Sequence, residues 1–175
     1  MKQALISKNV QCARGVLFKN SEKIDFKRLE GLCFPLIIKP IDAHSSRVVF
    51  RVNNIEELLQ FEIQTRSYSS DGSILIEDFI DGKEYSVESL TYKGKTSIIQ
   101  ITEKIITPYP YTVEIGHIQP ANLREEEKYE IEKVVIRAIK ALGIDNSASH
   151  TELKLTRQGA FIIEVGARPG GDFIS

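Results

Sequence analysis

Tryptophan is absent, methionine occurs once and cysteine only twice in these 175 residues. Cys12 and Cys33 have neither metal-ligand spacing nor the even-numbered framework of a disulfide-stapled secreted domain, so both read as reduced packing residues. Charge of one sign is also lacking: 23 Lys and Arg stand against 24 Asp and Glu, a net charge of −1. No basic block stands out, so no nucleic-acid or membrane surface is indicated. No apolar run approaches the roughly 20 residues of a membrane span. The start, Met1-Lys2-Gln3-Ala4-Leu5, lacks the apolar stretch of a signal peptide. A cytoplasmic location is the expectation. What is there, 42% hydrophobic and 27% charged residues, is ordinary for a soluble globular chain and argues against disorder. The length suffices for one domain with a core, or for two small lobes sharing a cleft.

Local patterns give the coarse elements. The run Phe34-Pro35-Leu36-Ile37-Ile38-Lys39-Pro40 predicts a short apolar strand bounded by prolines. Residues 47–52 read as its hairpin partner across the small, polar loop 41–46. Asn54 is a suitable N-cap, with Glu56 and Glu57 in the first turn of a helix to about Thr65. Strands are predicted over 73–78, 84–91, 96–104 and 113–118, with turns at Asp81-Gly82 and Tyr92-Lys93-Gly94-Lys95. The longest helix is expected from Leu123 to Leu142, capped by Asn122 and stopped by Gly143. Its residues Ile131, Val134, Val135, Ala138 and Leu142 keep helical spacing, so it should cover one face of a sheet.

The last hairpin carries the most information. Residues 149–156 and 160–165 flank Arg157-Gln158-Gly159, read as a three-residue turn closed by a left-handed glycine. That turn pairs Thr156 with Ala160, Lys154 with Ile162 and Glu152 with Glu164, and puts Leu153, Leu155, Phe161 and Ile163 on the core face. Two glutamates directly opposite each other repel. They either point into water, where salt screens them, or share a divalent cation, since magnesium is often held by one or two carboxylates plus substrate phosphates. Beyond Glu164 the turn Val165-Gly166-Ala167-Arg168-Pro169-Gly170-Gly171 adds glycines for close approach and an arginine fork for phosphate or carboxylate.

Taken in order, Ile38-Lys39-Pro40, Ile76-Glu77-Asp78-Phe79-Ile80-Asp81-Gly82-Lys83-Glu84, His150-Thr151-Glu152-Leu153-Lys154 and Glu164-Val165-Gly166-Ala167-Arg168-Pro169-Gly170-Gly171 resemble the ATP-grasp superfamily. Thr102-Glu103-Lys104 and the segment from Glu114 to Ala121 fit the same pattern. The similarity is nearest to carboxylate–amine ligases of the amino-acid ligase and carbamoyl-phosphate-synthase-like type. It implies an α+β fold of two antiparallel-sheet lobes with ATP between them, here residues 1–72 and 73–175. It implies ATP and magnesium, or manganese in its place, as cofactors. By the resemblance, Lys39 lies against the α- and β-phosphates, with Ser45 and Ser46 in the phosphate loop. Glu77, Phe79 and Ile80 form the adenine hinge, and Glu84 takes the ribose hydroxyls. Lys104 is a second phosphate lysine, Glu152 and Glu164 are the metal carboxylates, and Arg168 steadies the transferred group. His150 is open between that site and a structural role. With so little net charge, placed residues such as these would have to hold the phosphates.

The implied chemistry passes the γ-phosphate to a carboxylate; an amine or thiol then attacks the acyl phosphate, with small-molecule carboxylate and amine as partners. A homodimer is compatible with this. Two features depart from the family. The loop after Lys39-Pro40 carries serine and valine where glycines are usual, which hinders close backbone approach. Gly166 stands where an asparagine is usual, removing one metal ligand. The ends also look cut relative to family enzymes, so weak nucleotide binding and poor turnover are expected of this chain alone. An ATP-grasp kinase and a non-catalytic nucleotide-binding fragment remain the rival readings.

Overall fold

The computed structural model describes residues 1–42, 48–109 and 113–171. Its secondary structure is α1 (Lys2–Ser7), β1 (Gly15–Phe18), a 3-10 turn (Phe26–Leu29), β2 (Leu36–Pro40), β3 (Phe50–Val52), α2 (Ile55–Ser67), β4 (Ile74–Asp78), β5 (Lys83–Tyr92), β6 (Lys95–Ile106), β7 (Glu114–Ile118), α3 (Glu125–Leu142), β8 (Ser147–Thr156) and β9 (Gly159–Gly166). The fold is α+β, as expected, with two antiparallel sheets ordered β1-β4-β2-β3 and β7-β6-β5-β8-β9.

Two compact units result. One comprises Met1–Cys12, Ile80–Ile105 and the chain from Gly116; the other comprises Ala13–Phe79 and Ile106–Ile115. These differ from lobes divided at residue 72, because β4 pairs with both β1 and β2 and so stays with the four-stranded sheet. The first twelve residues belong with the other sheet: Leu5 is fully buried in its core, and Ile162 N–H donates to the Gln11 carbonyl at 2.9 Å.

The four-stranded unit is built on period-two burial. Leu36 and Ile38 of β2, Phe50 and Val52 of β3, and Ile74 and Ile76 of β4 turn to one face, where Leu58 of α2 and Phe18 join them. Each such side chain contributes about 1.5–3 kcal/mol on removal from water. Phe61 of α2 stacks on Phe50 with ring centroids 4.3 Å apart. Asn54 caps α2 as expected, its side chain accepting from Glu57 N–H at 2.9 Å.

In the five-stranded unit, α3 lays Ile131, Val134, Val135, Ala138 and Ile139 onto Tyr85, Val87, Ile101, Leu153, Ala160 and Ile162. Gly143 ends the helix in the left-handed region, φ 68°, where a side chain is disfavoured. The expected Asn122 cap is not used. The helix begins at Glu125, and the Glu127 carboxylate accepts from Arg124 N–H at 3.0 Å, because Ala121 and Leu123 are held against the core.

The β8–β9 hairpin corrects its expected register near the turn. Thr156 pairs with Gly159, Leu155 with Ala160, Lys154 with Phe161 and Leu153 with Ile162, so the turn is one residue tighter than expected. A bulge between Glu152 and Leu153 restores the offset, and Glu152 does pair with Glu164. The core face is therefore Leu153, Leu155, Ala160 and Ile162; Phe161 and Ile163 are only half-buried. Cys12 packs in the core, whereas Cys33 is exposed and no packing residue.

Candidate functional site

The face of the five-stranded sheet away from the α3 core is polar, and strand alternation makes it so. On β5 the residues with the same parity, Glu84, Ser86 and Glu88, lie opposite Lys154, Glu152 and His150 of β8. Adding the neighbouring strands gives cross-strand rows. One row runs Thr102, Ser86, Glu152, Glu164; the next runs Gln100, Glu88, His150, Gly166.

Ion pairs knit these rows together. The Lys104 ammonium, with its side chain only 3% exposed, lies 2.8 Å from Glu152 Oε1 and 3.3 Å from Glu84 Oε1. Lys154 Nζ is 3.7 Å from Glu84 Oε2. His150 donates through Nδ1 to Glu88 and has Nε2 3.5 Å from Glu152 Oε1. Glu88 Oε2 in turn accepts from Gly170 N–H at 3.0 Å.

These contacts govern the titration of the pair at the centre. Burial alone would raise the Glu152 carboxyl, but the hydrogen bond from His150 and the Lys104 charge outweigh it and hold Glu152 at about 2. Burial would likewise lower His150, but its hydrogen bonds to Glu152 and Glu88 raise it to about 9. Glu152 is therefore ionised and His150 protonated near neutrality. The repulsion expected between Glu152 and Glu164 is met here by the protein's own cations on Glu152, while Glu164 is exposed.

The donor set suits a hard cation bound together with phosphates. Among the described residues no group of three or more His, Cys, Asp or Glu could hold a metal by itself. Glu152 and Glu164 share a row, however, and two carboxylates plus phosphate oxygens are a common magnesium environment. In that same row the buried hydroxyls of Ser86 and Thr102 find no hydrogen-bond partner among the described residues, leaving polar capacity beside the carboxylate.

The four-stranded unit holds a second group of expected residues. Alternation puts Lys39 of β2 and Glu77 of β4 on the face opposite the core, and Lys39 Nζ lies 2.7 Å from Glu77 Oε1, whose side chain is 3% exposed. Phe79 follows β4 and meets Tyr109 edge-on at 5.1 Å, with the Arg51 guanidinium 4.8 Å from the Phe79 ring centre and 5.0 Å from that of Tyr109. Arg51, Asn53, Glu57, Gln60, Phe61 and Tyr109 line a cavity of about 310 Å³ in this unit.

Thus Glu84, Lys104 and Glu152 are brought into one network, with Glu164 beside it in register, and Lys39 is brought to Glu77. Arg168 is exposed and bonds locally, Nη1 donating to the Pro169 carbonyl at 2.9 Å. Ile80 is half-buried and opens the second of the three segments of its unit. Ser45 and Ser46 lie outside the described residues. Glu88, Lys154, Arg51 and Tyr109 were not singled out by sequence; the spacing Glu84-Ser86-Glu88 is the signal that marks Glu88.

Comparison with known proteins bears on this geometry. Residues 32–175 match a family described as the ATP-grasp domain. The chain is 27% identical over 172 residues to a D-alanine–D-alanine ligase of Flavobacterium psychrophilum, covering 93% of this chain and 51% of that protein. It is 25% identical to dapdiamide A synthase of Enterobacter agglomerans, covering 98% of this chain and 42% of that protein. The crystal structure of an L-amino acid ligase from Bacillus licheniformis superposes with a TM-score of 0.79 at 33% identity, covering 97% of this chain and 39% of the other. The chain thus spans about half the length of the curated relatives it matches.

Proposed function

We propose that this chain, which belongs to the ATP-grasp family, is the nucleotide-binding part of an ATP-dependent carboxylate–amine or carboxylate–thiol ligase working through an acyl phosphate. The observation that carries the reading is the polar sheet face: a cross-strand pair of carboxylates, Glu152 and Glu164, with the buried ammonium of Lys104 on the first of them. The relatives named for joining D-alanine to D-alanine, or L-amino acids, point to an amino-acid carboxylate and an amine as the substrate class. Cytoplasm is the location in which such a ligase would act.

Glu152 and Glu164 would hold magnesium, or manganese in its place, and Lys39 and Lys104 would take the ATP phosphates. When bound, the divalent ion neutralises phosphate charge as it develops. Glu84 would accept from the ribose hydroxyls, and the main chain around Glu77, Phe79 and Ile80 would frame the adenine. Arg168, exposed on its turn, offers a fork of donors to the transferred phosphoryl group. The carboxylate oxygen of the substrate forms its bond to the γ-phosphorus as the bond to ADP breaks. The amine nitrogen then bonds to the acyl carbon, and the amide forms as inorganic phosphate and one amine proton leave. Because the phosphoryl transition state spreads charge with little covalent work for the protein, the residues act by placement and electrostatics.

Calorimetry tests the reading directly. This chain should bind ATP more tightly with magnesium than with the metal chelated, and Glu152→Ala with Glu164→Ala should erase that difference. Magnesium-dependent binding that survives the double change would refute the metal assignment. Hydroxylamine trapping decides the reaction class in the longer ligase: a hydroxamate reports an acyl phosphate, and a kinase would yield none.

A further inference from the structure

We infer that Glu88 is a positioning residue, tying the Arg168-Pro169-Gly170-Gly171 turn to the Glu152 side of the polar face; this inference rests on the ligase reading above. Glu88 is 6% exposed on β5 and lies opposite His150 in register. One of its oxygens takes the His150 Nδ1 hydrogen, and the other takes the Gly170 amide hydrogen at 3.0 Å. The second ring nitrogen of His150 reaches Glu152 Oε1 at 3.5 Å, and Lys104 reaches the same oxygen at 2.8 Å. A continuous chain of polar contacts therefore runs from the turn, through Glu88 and His150, to the carboxylate assigned to the metal.

Two details say that this link is built for placement. The first is chemical: two donors converge on Glu88, and only a carboxylate gives each of them its own acceptor oxygen. A glutamine would offer one acceptor and one amino group, so one of the two contacts would fail. The second is steric. A Cβ on Gly170 would stand 2.6 Å from Glu88 Oε1 and 2.8 Å from His150 Nδ1, closer than carbon approaches such atoms. With a side chain at this position, the Glu88–His150 pair would have to shift for the turn to close as it does. Arg168 lies two residues before Gly170, so the link sets the arginine's turn relative to Glu152. Outer partners of metal ligands act in this way, fixing the orientation of a group that touches the ligand.

The test compares wild type, Glu88→Gln, Gly170→Ala and the double variant of this chain by calorimetry, with magnesium–ATP and with ATP in chelator, alongside a thermal melt. Each single variant should weaken magnesium–ATP binding about tenfold, in line with losses at outer-shell partners. Binding of metal-free ATP should change less than about twofold. The double variant should be no worse than the weaker single, because both cut the same link. Should Glu88→Gln disturb folding, Gly170→Ala at the turn carries the test alone. Unchanged magnesium–ATP affinity, or an equal loss with and without magnesium, overturns the inference. If wild type itself shows no magnesium dependence, the ligase reading falls and this inference with it. If wild type is magnesium-dependent and the variants match it, only the inference falls.

Discussion

Replacing Lys104 with methionine isolates the energetics of the polar face. The side chain is nearly the same length, so packing is conserved while the charge is lost. Lys104 lies 2.8 Å from Glu152 and 3.3 Å from Glu84, with its own side chain 3% exposed. At about 3 Å and an effective dielectric of about 20, each contact has a Coulomb energy of about 5 kcal/mol before desolvation is subtracted. Removing one partner of a buried pair costs about 3–5 kcal/mol, because the partly buried carboxylates left behind keep only their longer contacts, Glu84 to Lys154 and Glu152 to His150. For a chain of this size each kcal/mol lowers Tm by about 2–4 °C, so a drop of about 6–20 °C is expected by calorimetric or circular-dichroism melting. Lys83→Met is the internal control. Lys83 pairs with Glu103 at 2.7 Å, as short a contact, but its side chain is 69% exposed. Its loss should cost less than about 1 kcal/mol. The Lys104→Met deficit should also shrink on acidification. Glu152 is depressed from 4.5 to about 2 in the intact network, so its contribution is present above 4.5 and lost as pH falls through about 2. Equal losses in the two lysine variants, or a deficit under 1 kcal/mol at Lys104, would refute this reasoning.

Other consequences concern histidine titration and helix capping. His150 is raised from 6.5 to about 9 by its bonds to Glu152 and Glu88, against the effect of burial, so its contribution is complete below 6.5 and lost as pH rises through about 9. Urea unfolding should show wild type losing on the order of 3 kcal/mol across that window, and His150→Gln should flatten the profile; an unaltered slope in the variant would contradict the assignment. Asn54→Ala should lower stability by about 1 kcal/mol through the lost cap on Glu57 N–H, with Asn54→Asp retaining it, as read by thermal melting.

Legibility followed the range of the forces involved. Asn54 and Gly143 mark helix ends through local backbone chemistry, and both do so in the structure. Asn122 has the same credentials as a cap, yet tertiary packing of Ala121 and Leu123 moves the helix start past it. Alternation gave the β8–β9 hairpin its polar face, but the turn is one residue tighter than its composition suggested. Only the bulge beside Leu153 returns Glu152 to Glu164. Nothing in the local pattern announces that compensation. Glu152, Glu164, Lys104 and Lys39 were legible as members of an ordered motif set. For Glu88 the alternation Glu84-Ser86-Glu88 marks only the face; its contacts come from β5 pairing with β8, strands far apart in sequence, and from a turn that closes on it only in three dimensions. The strand β1 and the helix α1, in the first 29 residues, went unread for the same reason: each is short and takes its place from long-range pairing or packing.

Charge balance on the polar face bears on how nucleotide and metal would bind there. Lys104, Lys154 and protonated His150 stand against Glu84, Glu88 and Glu152, so these six side chains sum to zero, and the exposed Glu164 of the same face adds one negative charge. On the proposed reading, a triphosphate that drew Lys104 away alone would leave the partly buried Glu84 and Glu152 with only their longer contacts to Lys154 and His150. A divalent ion that took Glu152 alone would leave Lys104 with Glu84 only. Each exchange by itself disrupts a buried pair, and such disruption is expensive. Made together, the two exchanges give Lys104 a phosphate and Glu152 a cation, and no charge is stranded. On that reading the Lys104–Glu152 contact would make magnesium dependence a property of the protein as well as of the nucleotide. At a site where exposed lysines alone held the phosphates, magnesium would compete with them for the same oxygens and weaken binding. An ATP affinity that fell on adding magnesium would thus exclude this sheet face as the place where the phosphates sit.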